Sequence, residues 1–148
     1  MKRALSAVIV LAAVIIGAGC TQAPAETLEV TVYKRADCGC CNLWIEHLEA
    51  NGFSVKARNV QHLDQIKKES GVSRKLSACH TARIGDYVIE GHVPAQDIKR
   101  LLAENLDVVG LAVPGMPAGS PGMEGPRKES YAVYTFSKDG ATEVFARH

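Results

Sequence analysis

Leu28-Glu29-Val30-Thr31-Val32-Tyr33-Lys34-Arg35-Ala36-Asp37-Cys38-Gly39-Cys40-Cys41-Asn42-Leu43-Trp44-Ile45-Glu46-His47-Leu48 is the stretch whose reading decides the fold. Its first six residues alternate apolar and polar, the period of a strand with one face buried. From Cys41 the period changes. Cys41, Trp44, Ile45 and Leu48 fall at i, i+3, i+4 and i+7, which places one apolar stripe on a helix. Asn51-Gly52 supplies the stop, and Phe53 to Val60 reads as a second strand. Strand, cysteine turn, helix, strand is a βαβ unit, so the first two strands are expected to run parallel.

Working outward, Leu63 to Glu69 reads as a short helix closed by Gly71. Thr81-Ala82-Arg83-Ile84, a Gly85-Asp86 turn and Tyr87-Val88-Ile89-Glu90 make a hairpin. Pro94 stands where a helix can begin, and Ile98, Leu101 and Leu102 give that helix its apolar face. The class is therefore α/β, with the order β-α-β-α-β-β-α of a thioredoxin-like or glutaredoxin-like sheet. From Val108 to Ser130 the chain changes character and is expected to be a long Pro/Gly/Met loop. Its centre, Val113 to Met123, has too much proline and glycine for a helix or a central strand. Tyr131 to Phe136, a Lys138-Asp139-Gly140 turn and Thr142 to Ala146 form a C-terminal hairpin that extends or flanks the sheet.

Residues 1–25 read as a signal peptide with the start of a tether, leaving residues 26–148 as one domain. Met1-Lys2-Arg3 is a short positive start, and Ala4 to Ala18 is apolar apart from Ser6 and Gly17, too short for a membrane span. Two exits are open. Gly17-Ala18-Gly19-Cys20 resembles a lipobox, which would make Cys20 a lipidated first residue. Ala23-Pro24-Ala25 suits ordinary signal peptidase. Either way the expected address is the periplasm, with a lipid anchor as the one route to the membrane, and disulfides are permitted there. Losing Lys2 and Arg3 leaves 15 basic against 16 acidic residues. Lys67-Lys68, Arg74-Lys75 and Lys99-Arg100 are short and dispersed, so they read as solvated faces and no nucleic-acid footprint is formed.

Four of the five cysteines lie in Cys38-Gly39-Cys40-Cys41 and Cys79. Cys38 and Cys41 form a C-x-x-C at a strand-to-helix junction, where helix N–H groups favour thiolate. A dithiol oxidoreductase needs that pair and no more, and a periplasmic thiol-disulfide or copper oxidoreductase using Cys38 and Cys41 remains the alternative function. Cys40 is a liability to such an enzyme, because it competes for the disulfide, whereas to a thiolate cluster it is a further ligand. By analogy with glutaredoxins, His80 falls where those proteins carry a cis-proline, so Cys79 is expected to face the other three.

Four converging sulfurs suit Cu(I), Zn(II) or an iron–sulfur centre. Adjacent Cys40 and Cys41 fit a mononuclear zinc site poorly, whereas bridging thiolates around more than one Cu(I) tolerate uneven spacing. Export argues against iron–sulfur. Met116 and Met123 offer thioethers, which also select Cu(I), and His80 is a further candidate ligand. His47 and His92 read as surface or supporting residues, His62 and His148 as bystanders, and Trp44 as core.

With these blocks in order, the chain resembles the CopG-type copper-resistance proteins, a metal-binding family of unknown function. The resemblance runs from Leu28 to Ala146. It rests on Val32-Tyr33-Lys34, Cys38-Gly39-Cys40-Cys41 followed by Trp44, Ser77-Ala78-Cys79-His80-Thr81 and Glu90-Gly91-His92-Val93-Pro94. It continues through Gly110 to Pro117 and Gly119 to Glu124. It implies a thioredoxin-like domain that binds copper through Cys38, Cys40, Cys41 and Cys79, is exported to the periplasm and is associated with copper and silver resistance; other periplasmic copper-handling proteins are candidate partners.

Overall fold

The structure, a computed structural model, describes residues 28–148. The leader, both cleavage places and Cys20 lie outside the described residues. The elements run β1 (Leu28–Lys34), α1 (Gly39–Ala50), β2 (Phe53–Asn59), α2 (Leu63–Glu69), β3 (His80–Ile84) and β4 (Tyr87–Glu90). They continue with α3 (Ala95–Glu104), β5 (Gly110–Ala112), β6 (Ala132–Phe136) and β7 (Thr142–Arg147). One seven-stranded mixed sheet has the order β2-β1-β3-β4-β5-β6-β7. β1 pairs parallel with β2, and β3 pairs antiparallel with both β1 and β4. Ile84 and Tyr87 face each other across the Gly85-Asp86 turn, with Gly85 at φ 53° as a two-residue hairpin requires.

Alternation sorts the strands into two faces. On one, Val30, Val32, Ala82, Ile89 and Leu111 pack with Trp44 and Leu48 of α1 and Ile98 and Leu101 of α3. On the other, Val88, Ala112 and Phe136 pack with Val72 and Leu76 beyond α2. Trp44 is fully buried, and its indole N–H donates to the Val93 carbonyl at 2.9 Å. Burying one such large apolar side chain contributes roughly 1.5–3 kcal/mol, so the stripe that identifies α1 also fixes its first turn above the ends of β1 and β3.

Two expectations need correction. The segment after Val108 is not wholly loop. Gly110–Ala112 forms β5, parallel to β4 and antiparallel to β6, so the C-terminal hairpin extends the sheet. All three of its residues are buried, and so short an apolar run has no period to detect. Lys67 is not on a solvated face. It is 6% exposed and pairs with the buried Glu90.

Candidate metal centre

Cys38 is the N-cap of α1 and makes no side-chain cap bond, so the free N–H groups of the first turn face the sulfur-bearing end. Cys40 and Cys41 follow within that turn. Cys41 turns into the core and Cys40 stays half-exposed. Cys79 arrives from the segment before β3. Cys40 Sγ lies 3.7 Å from Cys38 Sγ, 4.0 Å from Cys79 Sγ and 3.8 Å from Met116 Sδ. The four cysteine sulfurs all fall within 4.8 Å of one another. Cys38 and Cys41 are joined in a disulfide, which leaves Cys40 and Cys79 as free thiols among the described residues. An open groove of about 430 Å³ leads to this cluster, its walls including Lys67, Ser77, Ala78 and Met116.

Behind the sulfurs stand two buried imidazoles. His92 Nδ1 is 2.7 Å from the Pro121 carbonyl, and His92 Nε2 is 2.9 Å from Cys79 Sγ. A carbonyl only accepts, so Nδ1 carries the hydrogen and the Nε2 lone pair receives the Cys79 S–H. His80 lies fully buried between Trp44 and His92, with Nδ1 3.4 Å from Cys79 Sγ and Nε2 without a hydrogen-bond partner among the described residues. Cys79, His80 and His92 thus make a second group able to hold a metal, and it shares one sulfur with the first.

Sequence reasoning read His92 as a surface or supporting residue; it is buried, and its contact with Cys79 was missed. The Pro121 carbonyl that orients it comes from the Pro/Gly loop, which packs onto α1. A Cβ on Gly122 (φ 83°) would sit 2.8 Å from the Trp44 nitrogen and 2.9 Å from the Cys40 oxygen. Met116 reaches the cluster. Met123 is not among the residues lining the groove; its backbone closes a turn with Ser120 and Gly119. His47 Nε2 accepts the Ala95 N–H at 3.1 Å, helping to cap α3, whose N-cap Pro94 has no side-chain acceptor. His148, expected to be a bystander, bonds Asp97 at 2.7 Å and stacks on Tyr131, tying the chain's last residue to α3.

Burial pushes the Cys79 thiol up to about 12, and the neighbouring Cys40 adds to the effect. Burial also lowers His47, His80 and His92 below the ordinary imidazole value of 6.5, His80 furthest. The sign follows directly. Below about pH 6.5 the unfolded chain takes up protons that the native imidazoles refuse. The metal-free protein should therefore lose stability as pH falls from 7 towards 5. Urea midpoints across that window check this, and a midpoint that stays level or rises would contradict it.

A mixed α/β sheet that presents four cysteine sulfurs at one helix N-terminus, with buried imidazoles behind, defines the class: a candidate soft-metal thiolate protein. Two solved structures named copper resistance protein CopG, forms 2 and 1, are similar over nearly their whole length. Both are 46% identical to this chain and cover 83% of it, with 99% and 98% of their own chains matched at TM-scores of 0.80 and 0.79. The family described as "Protein of unknown function, DUF411" matches residues 76–123, from Leu76 through Met123. No curated protein sequence matches the chain. The chain belongs to the CopG copper-resistance family.

Proposed function

We propose that the protein is an exported Cu(I)-binding protein with a thioredoxin-like domain, which sequesters or relays copper through Cys38, Cys40, Cys41 and Cys79 in copper and silver resistance. The observation that carries this is the convergence of four sulfurs within 4.8 Å from two separate limbs of the chain. Sulfurs sharing one ion at roughly 2.3 Å, the zinc–thiolate length, can stand at most about 4.6 Å apart. Cys40 meets that limit with both Cys38 and Cys79. Met116, 49% exposed beside Cys40, adds a thioether at the mouth, which favours Cu(I) over zinc. The order of the first seven elements supports the thioredoxin-like reading. The leader supports a periplasmic address, with anchoring through Cys20 or release after Ala25.

Copper enters as cargo to the reduced protein, because the Cys38–Cys41 disulfide withholds two of the four sulfurs. Binding at Cys79 must also displace its proton, since a thiol at about 12 is protonated at neutral pH. Affinity should thus fall at least about tenfold for each unit of acidification, since Cys79 alone accounts for one displaced proton. Competition against a Cu(I) chelator of moderate strength, repeated from pH 8 to pH 6, tests both the site and its proton. An affinity independent of pH would exclude Cys79 as a ligand.

The disulfide itself favours a second reading, a thiol-disulfide oxidoreductase that uses Cys38 and Cys41. The Cys40→Ala variant separates the two. Dithiol exchange survives that change if the pair is the working unit, whereas copper retention falls if the cluster is.

A further inference from the structure

Glu90 ends β4 with no exposure to solvent, yet both of its oxygens are engaged. Oε1 accepts from Lys67 Nζ at 2.5 Å and from the Ala78 N–H at 2.6 Å, and Oε2 accepts from Thr81 Oγ1 at 2.7 Å. Lys67 also donates to Thr81 Oγ1 at 3.1 Å. A buried ion pair of this kind is weak ground for stability, because well-packed apolar residues of similar volume commonly serve as well or better. The distinctive partner is the Ala78 amide, one residue before Cys79. The next two residues of the chain act on the same limb. Gly91 (φ 72°) leaves room for it, since a Cβ there would lie 2.6 Å from Ala78 Cβ and 2.5 Å from the Val113 oxygen. His92 Nε2 then meets Cys79 Sγ at 2.9 Å. Three consecutive residues, Glu90-Gly91-His92, cradle Ala78 and Cys79.

We infer that Glu90 is a positioning residue: through the Ala78 amide it holds the Cys79 sulfur against Cys40, and Lys67 balances the carboxylate that this requires in the interior. Its importance for copper rests on the four-cysteine reading; the positioning itself does not. The Glu90 carboxylate bonds Lys67, Ala78 and Thr81, none of which supplies a sulfur. It acts on the backbone that carries one, so the loss of its acceptor loosens the Cys79 limb without removing a ligand.

The test separates position from stability. In the full chain carrying Cys20→Ser, Cys38→Ser and Cys41→Ser, Cys40 and Cys79 are the remaining thiols. The equilibrium of their disulfide against glutathione reads how closely the two are held. Lys67→Met with Glu90→Gln removes the charges and keeps an acceptor for Ala78. Lys67→Met with Glu90→Leu removes the acceptor as well. Emission of Trp44, the sole tryptophan, reports folding in each. The Leu pair should lower the effective concentration of the two thiols about tenfold or more, and the Gln pair should stay within about threefold of the parent. Equal equilibria in the Leu and Gln pairs would overturn the inference. Should the Leu pair not fold, Lys67→Leu with Glu90→Met removes the same acceptor and is judged by the same comparison. With the native cysteines restored, a Leu pair that shifts the disulfide equilibrium but leaves copper affinity unchanged would leave the positioning intact and count against the four-cysteine reading.

Discussion

Replacing Cys79 by serine is expected to lower Cu(I) affinity by more than about a hundredfold, since loss of an outer hydrogen-bonding partner alone typically costs 10–100-fold and here a ligand goes. Cys79 is the one cysteine of the four that does not come from the start of α1. It lies 4.0 Å from Cys40 and also belongs to the group with His80 and His92. Serine is close in size and replaces a thiol that already donates to His92, so the fold should survive. Chelator competition on reduced wild-type and variant proteins measures the difference, with thermal melting as the control. Wild-type affinity in Cys79→Ser would remove Cys79 from the site and leave copper to the three sulfurs at the start of α1.

The second large effect concerns the loop. Gly122→Ala should destabilise the protein by about 2–4 kcal/mol, combining a positive-φ penalty with an overpacking cost. The backbone stands at φ 83°, and the new methyl would meet the Trp44 nitrogen at 2.8 Å and the Cys40 oxygen at 2.9 Å. Both are backbone atoms of α1 and cannot swing aside as a side-chain tip would. Relief requires the loop to lift, which carries the Pro121 carbonyl away from His92 Nδ1 and releases the tautomer that faces Cys79. Denaturant unfolding measures the first consequence. The His92 imidazole proton resonance, followed by NMR, measures the second. An alanine variant as stable as wild type would show that the loop does not rest on α1.

The chemistry-bearing stretch was legible because its signals are local. Cys38, Cys40 and Cys41 sit at a change of period from 2 to 3.6, and β1, α1 and α2 form close to where that period places them. Cys79 was legible only through the hairpin after it, whose Gly85-Asp86 turn sets the register and so the end of the sheet at which His80 emerges. What escaped was what tertiary packing creates. The role of His92 depends on a carbonyl 29 positions away, delivered by a loop whose docking no periodicity records. Lys67 stands beside Lys68 and looked solvated, yet α2 turns it inward towards Glu90, a pairing 23 positions apart. β5 is three buried residues long, below the length at which alternation can be told from chance. Met116 and Met123 share a Pro-Gly-Met setting, but the loop's path brings only Met116 beside Cys40.

The central claim, a four-cysteine copper site, is tested most directly by anaerobic titration of the reduced protein with Cu(I), followed by native mass spectrometry in the presence of a moderate chelator. The account predicts a folded protein that retains more than one copper ion, with retention falling sharply in Cys40→Ala and Cys79→Ala. A protein that gives up all its copper to the chelator, or variants that keep as much copper as wild type, would contradict it.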